Sequence, residues 1–272
     1  DGRLIVWNAV TTYKIHAIPL TSNWVMTCAY APSGNMVACG GLDNTCSIYN
    51  IQGKENSDIN DIKVSKQLTA HSGYLSDCQF LSDRQIVTSS GDQTCILWDT
   101  EMGQVNTKFV GHTGDVMTVS VAPDHNTFVS GSCDKTARVW DVRTPKCVQT
   151  IAGHHTSDVN SVEFFPNGLL IGTGSDDQSC SLFDTRANQT LTTYSDDAVV
   201  KEPVTSISFS KSGRLLFAAY EDKKIIVWDT LKAKPVKTLT GHENCVSHVA
   251  VSPNGCALVS SSWDNTLKVW SI

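Results

Sequence analysis

An Asp followed six residues later by an aromatic recurs along this chain at seven near-evenly spaced places: Asp1/Trp7, Asp43/Tyr49, Asp92/Trp98, Asp134/Trp140, Asp177/Phe183, Asp222/Trp228 and Asp264/Trp270. The aromatics are spaced by 42, 49, 42, 43, 45 and 42 residues. A near-constant period of that length marks an array of one supersecondary unit, in which each copy buries its apolar face against the next. For 272 residues this favours one closed array over two unrelated domains.

Residues 112–151 show the unit. His112 opens it, and Val116 to Ala122 (VMTVSVA) alternates into a turn at Pro123-Asp124-His125-Asn126. Thr127 to Gly131, Thr136 to Trp140 and Lys146 to Ile151 read as three further strands, separated by Cys133-Asp134-Lys135 and by Asp141 to Pro145. Short strands between Gly, Pro, Asn and Asp clusters, without helical periodicity, make the class all-β. Gly-His pairs stand at Gly111-His112, Gly153-His154 and Gly241-His242, with Ala70-His71 as a variant. Trp-Asp stands at Trp98-Asp99, Trp140-Asp141 and Trp228-Asp229, with Trp7-Asn8, Tyr49-Asn50, Phe183-Asp184 and Trp270-Ser271 as variants. On these residues the whole chain resembles a seven-bladed WD-repeat β-propeller.

The six-residue spacing has a physical reading. The Asp sits in the turn between the second and third strands and accepts hydrogen bonds from turn amides and from the Gly-His imidazole. The imidazole bonds a hydroxyl on the second strand, and that hydroxyl takes the indole N–H. The expected sets are His71, Thr88, Asp92 and Trp98; His112, Ser130, Asp134 and Trp140; and His242, Ser260, Asp264 and Trp270. A satisfied buried network of this kind fixes one geometry. The sets match a hydrolase triad in composition, but they recur at framework positions, where a nucleophile per repeat has no use.

The expected blades cover residues 1–20 (partial), 21–69, 70–110, 111–152, 153–195, 196–240 and 241–272, all in one domain. The first holds only two strands, about Arg3–Trp7 and Lys14–Pro19, and the last holds three, giving 25 strands where seven full blades hold 28. Unpaired strand edges invite pairing with another chain. The expectation is therefore a partial record of a longer protein, incomplete at the N-terminus and without an outer strand in the last blade.

Bulk properties narrow the partners. Net charge is −6, a poor basis for binding phosphate backbones, so no nucleic acid is expected. No apolar run approaches the roughly 20 residues of a membrane span, and no signal peptide is evident. The 10 Cys are scattered without C-x-x-C, and Cys28, Cys39, Cys46, Cys78, Cys95 and Cys180 lie in apolar strand patterns, as reduced, buried thiols would. The first strands VMTVSVA, VNSVEFF, VTSISFS and VSHVAVS read as apolar or small toward the central channel. There is no phosphate-binding loop, zincin motif or EF-hand loop. No catalytic residue, metal or cofactor is expected, and the chain reads as a non-enzyme. Asn188-Gln189-Thr190 fits a glycosylation sequon but reads as a turn.

Residues outside the framework are more specific. Ser22 to Gly34 (SNWVMTCAYAPSG), Val37 to Asn44 (VACGGLDN), Gly111 to Met117 (GHTGDVM), Gly174 to Asp177 (GSDD) and Ser262-Trp263-Asp264 closely resemble the β subunit of heterotrimeric G proteins. The resemblance implies a top face that binds the GDP-bound α subunit, with effectors using an overlapping patch after release with γ. The matching positions are Trp24, Met26, Leu42, Tyr74, Asp115, Met117, Cys133, Asp158, Asn160, Asp176 and Trp263. Their chemistry suits an interface: aromatic, Met and Leu anchors beside an acidic arc. A secondary α-subunit contact on blade one is implied at Ile5, Lys14, His16 and Ala17. A γ subunit, or a γ-like domain, would pair with an N-terminal helix that this sequence does not include. GTP would be held by the partner. The implied location is cytoplasmic, at the inner face of the plasma membrane through lipidated partners.

The sequence also departs from the family. Tyr13 replaces a smaller polar residue, and Cys245 stands where a basic residue is typical. Ser195-Asp196-Asp197 replaces Gly-His, Ala218 offers no hydroxyl, and Lys201-Glu202-Pro203 adds charge and a Pro. The Ile51–Gln67 connection (IQGKENSDINDIKVSKQ) reads as a polar outer loop between blades two and three. These changes suit a divergent member, such as the subtype that pairs with a γ-like domain of a regulator. The competing readings are another WD-repeat scaffold, such as a ribosome- or ubiquitin-ligase-associated adaptor, and an enzyme on a propeller.

Overall fold

Alternating apolar residues between turn formers dictate strands, and strands are what the chain forms. In the computed structural model, which describes residues 2–52, 62–196 and 200–271, 25 strands build seven antiparallel sheets and no helix occurs among the described residues. The first sheet pairs Arg3–Trp7 with Lys14–Pro19. The second holds Val25–Tyr30, Met36–Gly41, Cys46–Asn50 and Val64–Leu68, and the third holds Leu75–Ser82, Gln85–Ser90, Thr94–Asp99 and Gln104–Val110. The fourth holds Val116–Val121, Thr127–Ser132, Ala137–Asp141 and Cys147–Ile151, and the fifth Val159–Phe164, Leu170–Ser175, Cys180–Asp184 and Gln189–Tyr194. The sixth holds Val204–Phe209, Leu215–Tyr220, Ile225–Asp229 and Lys234–Leu239. The seventh holds Val246–Val251, Ala257–Ser262 and Leu267–Ser271. Each sheet is a simple meander, and each packs on the next in sequence, as in a WD-repeat propeller.

The Ile51–Gln67 connection lies elsewhere than expected. It joins the third and fourth strands within the second sheet, and its last residues already belong to the strand Val64–Leu68. Residues 53–61 of that connection lie outside the described residues.

The turn between the second and third strands is the most repetitive element. In six sheets the residue after the framework Asp takes a positive φ of 60° to 71°, at Asn44, Gln93, Lys135, Gln178, Lys223 and Asn265. Only two of these are Asn, the residue that tolerates the region best. The Asp side chain helps to hold the turn: in the third sheet its Oδ1 accepts from the Thr94 amide (3.1 Å) and hydroxyl (2.6 Å).

The framework networks form as the sequence implies. His112 bonds Asp134 Oδ2 at 2.8 Å and Ser130 Oγ at 2.7 Å, and Trp140 Nε1 donates to the same Ser130 Oγ at 2.8 Å. The same chain runs through His71, Thr88, Asp92 and Trp98, and through His242, Ser260, Asp264 and Trp270. Burial opposes ionisation of Asp92, but hydrogen bonds from Thr94, His71 and the Ser72 amide outweigh it and hold the carboxyl at about 2. The fifth sheet departs from the expected Gly153-His154 pair. His155, not His154, bonds Asp177 (2.9 Å) and Thr173 (2.7 Å), while His154 stays outside against Thr190 and the Phe183 ring.

Besides the two-stranded first sheet, two sheets lack the network among the described residues. In the second, Thr21 stands where the imidazole would be, 3.4 Å from Asp43, and the buried Tyr49 hydroxyl, beside a cavity of about 10 Å³, has no hydrogen-bond partner among the described residues. In the sixth, which has Ala218 at the hydroxyl position, Trp228 Nε1, Tyr220 Oη and one oxygen of Asp222 are buried without a hydrogen-bond partner among the described residues.

The innermost strands of neighbouring sheets are joined mainly by side chains reaching backbone. Thr27 accepts from the Cys78 amide, Asp77 from Val119, Ser161 from Ile207 and Ser206 from Val249. Two residues further along, Gln79 accepts from Val121, Ser120 from Phe164, Glu163 from Phe209 and Ser208 from Val251. The reading of these strands as apolar or small is therefore corrected. Asp77, Glu163 and His248 lie on such inner strands, Leu75–Ser82, Val159–Phe164 and Val246–Val251. Polar groups recur there because diverging strands leave backbone groups that need partners. All ten cysteines are free; Cys39, Cys46, Cys78, Cys95 and Cys180 are buried, but Cys28 is exposed rather than buried.

Candidate partner-binding face

One backbone contact recurs through six sheets and defines a face. The residue just after the second strand donates its amide to the carbonyl of the residue at or before the start of the first. The pairs are Leu42 to Trp24 (3.1 Å), Gly91 to Tyr74 (3.0 Å), Cys133 to Asp115 (2.9 Å), Asp176 to Asp158 (3.0 Å), Glu221 to Pro203 (3.2 Å) and Trp263 to Cys245 (3.0 Å). These paired residues occupy equivalent places at one end of successive sheets. The second residue of each inner strand adjoins them: Met26, Ser76, Met117, Asn160, Thr205 and Ser247. All eleven residues expected on this face, Trp24, Met26, Leu42, Tyr74, Asp115, Met117, Cys133, Asp158, Asn160, Asp176 and Trp263, occupy one of these three positions.

Their exposure is graded. Trp24 and Trp263 are each 71% exposed, Met26 and Leu42 about half, and the other seven are partly buried. Neither indole is a core residue, and open aromatics on rigid backbone are the kind of group from which protein interfaces are built. Gly41 shows how firmly Trp24 is set: a Cβ there would meet the Trp24 carbonyl oxygen at 1.9 Å. Gly91 does the same for Tyr74, whose ring fills the space of the missing side chain.

The polar members are interlocked. Tyr74 Oη donates to Asp115 Oδ2 at 2.9 Å and touches Met117 Sδ at 3.7 Å, joining the third sheet to the fourth. Burial, the hydrogen bond to Asp115 and its charge push the phenol well above its ordinary range, so Tyr74 stays neutral and donates. Asn160 donates to Asp176 and, at 3.0 Å, to the Val204 carbonyl. Burial and the hydrogen bond and charge of Asp158 push the Cys133 thiol up to about 12, so it is an inert packing group. Among the described residues no group of His, Cys, Asp or Glu side chains is arranged to hold a metal ion.

The secondary set divides. Lys14 is exposed with its ammonium 5.1 Å from the Trp7 ring centre, and Ile5 and Ala17 are half-buried. His16 is 5% exposed and faces inward, so as a contact residue it is corrected: the alternation of its strand places it on the packed side with Ile18. Sequence reasoning missed Glu221, and noted Pro203 and Cys245 only as departures from the family rather than as members of this face. They hold the same paired positions as Trp24 and Leu42, and counting from each framework Asp would have found them.

A family model described as G protein beta WD-40 repeat protein matches residues 1–271. The chain belongs to that family. It is also 55% identical over 271 residues to the guanine nucleotide-binding protein G(I)/G(S)/G(T) subunit beta-1 of Homarus americanus, a match spanning all of this chain and 78% of that protein.

Proposed function

We propose that this protein is the β subunit of a heterotrimeric G protein and acts by binding, without catalysis. The chain is read as a single propeller of seven blades, the first and last represented by two and three strands. Its partner face carries Trp24, Met26, Leu42, Tyr74, Asp115, Met117, Cys133, Asp158, Asn160, Asp176 and Trp263 and receives the GDP-bound α subunit. When the α subunit exchanges nucleotide, the same face becomes free for effectors. Ile5, Lys14 and Ala17 form a secondary α-subunit contact on the first sheet. A γ subunit or γ-like domain is the further partner, and lipidated partners bring the complex to the cytoplasmic face of the membrane.

The observation that carries this reading is the pair of open indoles, Trp24 and Trp263, on a face repeated at matched positions in six sheets. Aromatic anchors amid partly buried polar neighbours are the usual centre of a protein interface. The acidic residues around them suit a partner with Lys or Arg, setting specificity and on-rate. The test is binding to an α subunit loaded with GDP or with a non-hydrolysable GTP analogue, with γ supplied. Preference for the GDP form is expected, and Trp24→Ala or Trp263→Ala should weaken it by about 2 kcal/mol. Wild-type affinity in both variants would remove these residues from the interface, and indifference to nucleotide would favour another scaffold role.

A further inference from the structure

An open cavity of about 350 Å³ lies between the sixth and seventh sheets, lined by Thr205, Glu221, Asn244, Cys245, Ser247 and Trp263. Its size is at the lower end of ligand-binding cavities, roughly 300–1,000 Å³. Five of its lining residues hold the recurrent positions of the partner face, so it opens on that face rather than on a separate surface. Sequence comparison of the face left it out, because its residues depart from the rest of the set.

Most polar groups of the lining are already used. Thr205 Oγ1 donates to the Val246 carbonyl, Ser247 Oγ bonds Ser261 Oγ at 2.8 Å, and Asn244 Oδ1 accepts from the Cys245 amide at 2.8 Å. Two features are left over. Among the described residues the Glu221 carboxylate has neither an ion-pair nor a hydrogen-bond partner, and it is the one charged group in the lining. The neighbouring Lys224 is paired with Asp222. The second feature is Trp263, most of whose indole is open. The Glu221 charge is felt by Cys245, whose thiol is raised by burial and by that carboxylate, so carboxylate and thiol share one space.

We infer that this cavity receives a cationic side chain, an arginine or lysine, of the protein partner seated on the face. A carboxylate and an indole face are the two groups that attract a cation, the first by charge and the second through its ring quadrupole. An apolar occupant would desolvate Glu221 without compensation, and an anion would be repelled. Arginine suits the site best, since its planar guanidinium can stack on the indole while donating to the carboxylate. The inference rests on the reading that this face binds a protein partner, and it adds Glu221 and Cys245 to the residues that select that partner.

Two measurements separate the inference from the reading beneath it. In the first, the protein is titrated with the GDP-loaded α subunit as wild type, Glu221→Gln and Cys245→Trp, at low and high salt. Glu221→Gln should weaken binding roughly five- to tenfold at low salt and less at high salt. Cys245→Trp, which fills the cavity beside Glu221 without adding charge, should weaken it at least as much. Normal binding by both variants would overturn the inference and leave the proposed function standing. If the wild type fails to bind, the proposed function falls, and the second measurement decides whether the cavity takes a cation at all. There the Trp263 indole N–H, assigned by its loss in Trp263→Phe, is followed by NMR on adding acetyl-arginine amide or its neutral isostere acetyl-citrulline amide. A saturable shift with the arginine compound alone, lost in Glu221→Gln, is the expected result. Equal responses to both compounds, or none to either, would overturn the inference.

Discussion

The fourth and sixth sheets have the same strand order, the same register from second to third strand and the same buried tryptophan, yet they solve the burial of its indole N–H differently. In the fourth, Trp140 donates to Ser130, Ser130 to His112 and His112 to Asp134, whose carboxylate is held far below the usual range, against burial, by His112, Thr136 and the Thr113 amide. In the sixth, Ala218 replaces the serine, no imidazole enters, and Trp228 Nε1 has no partner. Tyr194 and Tyr220 pack around that indole instead, Tyr194 with its ring centre 5.9 Å away. The same blade shape thus survives the loss of its polar network when aromatic volume replaces it. Packing shapes the blade, and the network adds specificity and some stability on top.

The sharpest way to break this comparison is to remove the framework Asp from each sheet. Asp134 accepts four hydrogen bonds, from His112, the Thr113 amide, and the Thr136 amide and hydroxyl. Asp134→Ala leaves a buried imidazole and turn amides unpaired and should cost about 3 kcal/mol in urea unfolding. Among the described residues Asp222 has Lys224 as its one side-chain hydrogen-bond partner, and that pair is partly exposed. Asp222→Ala should cost under ~1 kcal/mol. Equal costs would mean that the network adds nothing beyond the turn.

How much of this was legible in sequence follows from the same contrast. Framework residues were readable because one blade geometry demands them at fixed spacing, and the departures at Ala218 and Ser195-Asp196 were visible as breaks in that spacing; Asp197 lies outside the described residues. His155 was misread as His154, although the 22-residue distance from imidazole to Asp in the fourth and seventh units selects His155. The side chains that join neighbouring inner strands were not legible, since they answer to the divergence between sheets, which no single unit reveals. His16 failed because position in a family motif does not say which way a strand residue points. Glu221 was hidden by the opposite cause, and Cys245 was seen only as a departure: both hold a face position but break its chemical pattern.

The sixth sheet is also tied to the fifth by a group that titrates in the other direction from the framework Asp residues. Glu163 accepts from the Phe209 amide and from Ser208, and burial with no cation beside it raises its carboxyl to about 8. A folded-state value above the unfolded one means that the native protein holds the extra proton, so stability is full below about 4.3 and falls as pH rises toward 8. Asp92 works oppositely: its contribution is present above about 4 and is lost as pH falls through about 2. Stability should therefore be greatest in mildly acidic solution and should decline by on the order of 2 kcal/mol between pH 5 and 8, solvent at the inner strands moderating the effect. Glu163→Gln should flatten that decline while leaving the acid limb unchanged. A decline that persists in the variant would place the titrating group elsewhere.

The smallest expected effect is the most discriminating, because it tries to give the sixth sheet what the fourth has. Ala218 occupies the place of Thr88 and Ser130, whose hydroxyls accept the indole N–H at 2.8 Å. Ala218→Ser adds one oxygen and offers Trp228 Nε1 an acceptor, with Tyr220 Oη nearby as a second unpartnered group that can share it. A satisfied pair in place of an orphaned donor should stabilise the protein by about 1 kcal/mol. Ala219→Ser, whose oxygen would enter the apolar cluster of Phe217, Ile225 and Val246, should destabilise it by a similar amount and controls for simply adding a hydroxyl to a buried strand. If both serines destabilise equally, Tyr220 has taken the space that a network would need. The sixth sheet would then be a different packing solution rather than a fourth sheet with one part missing.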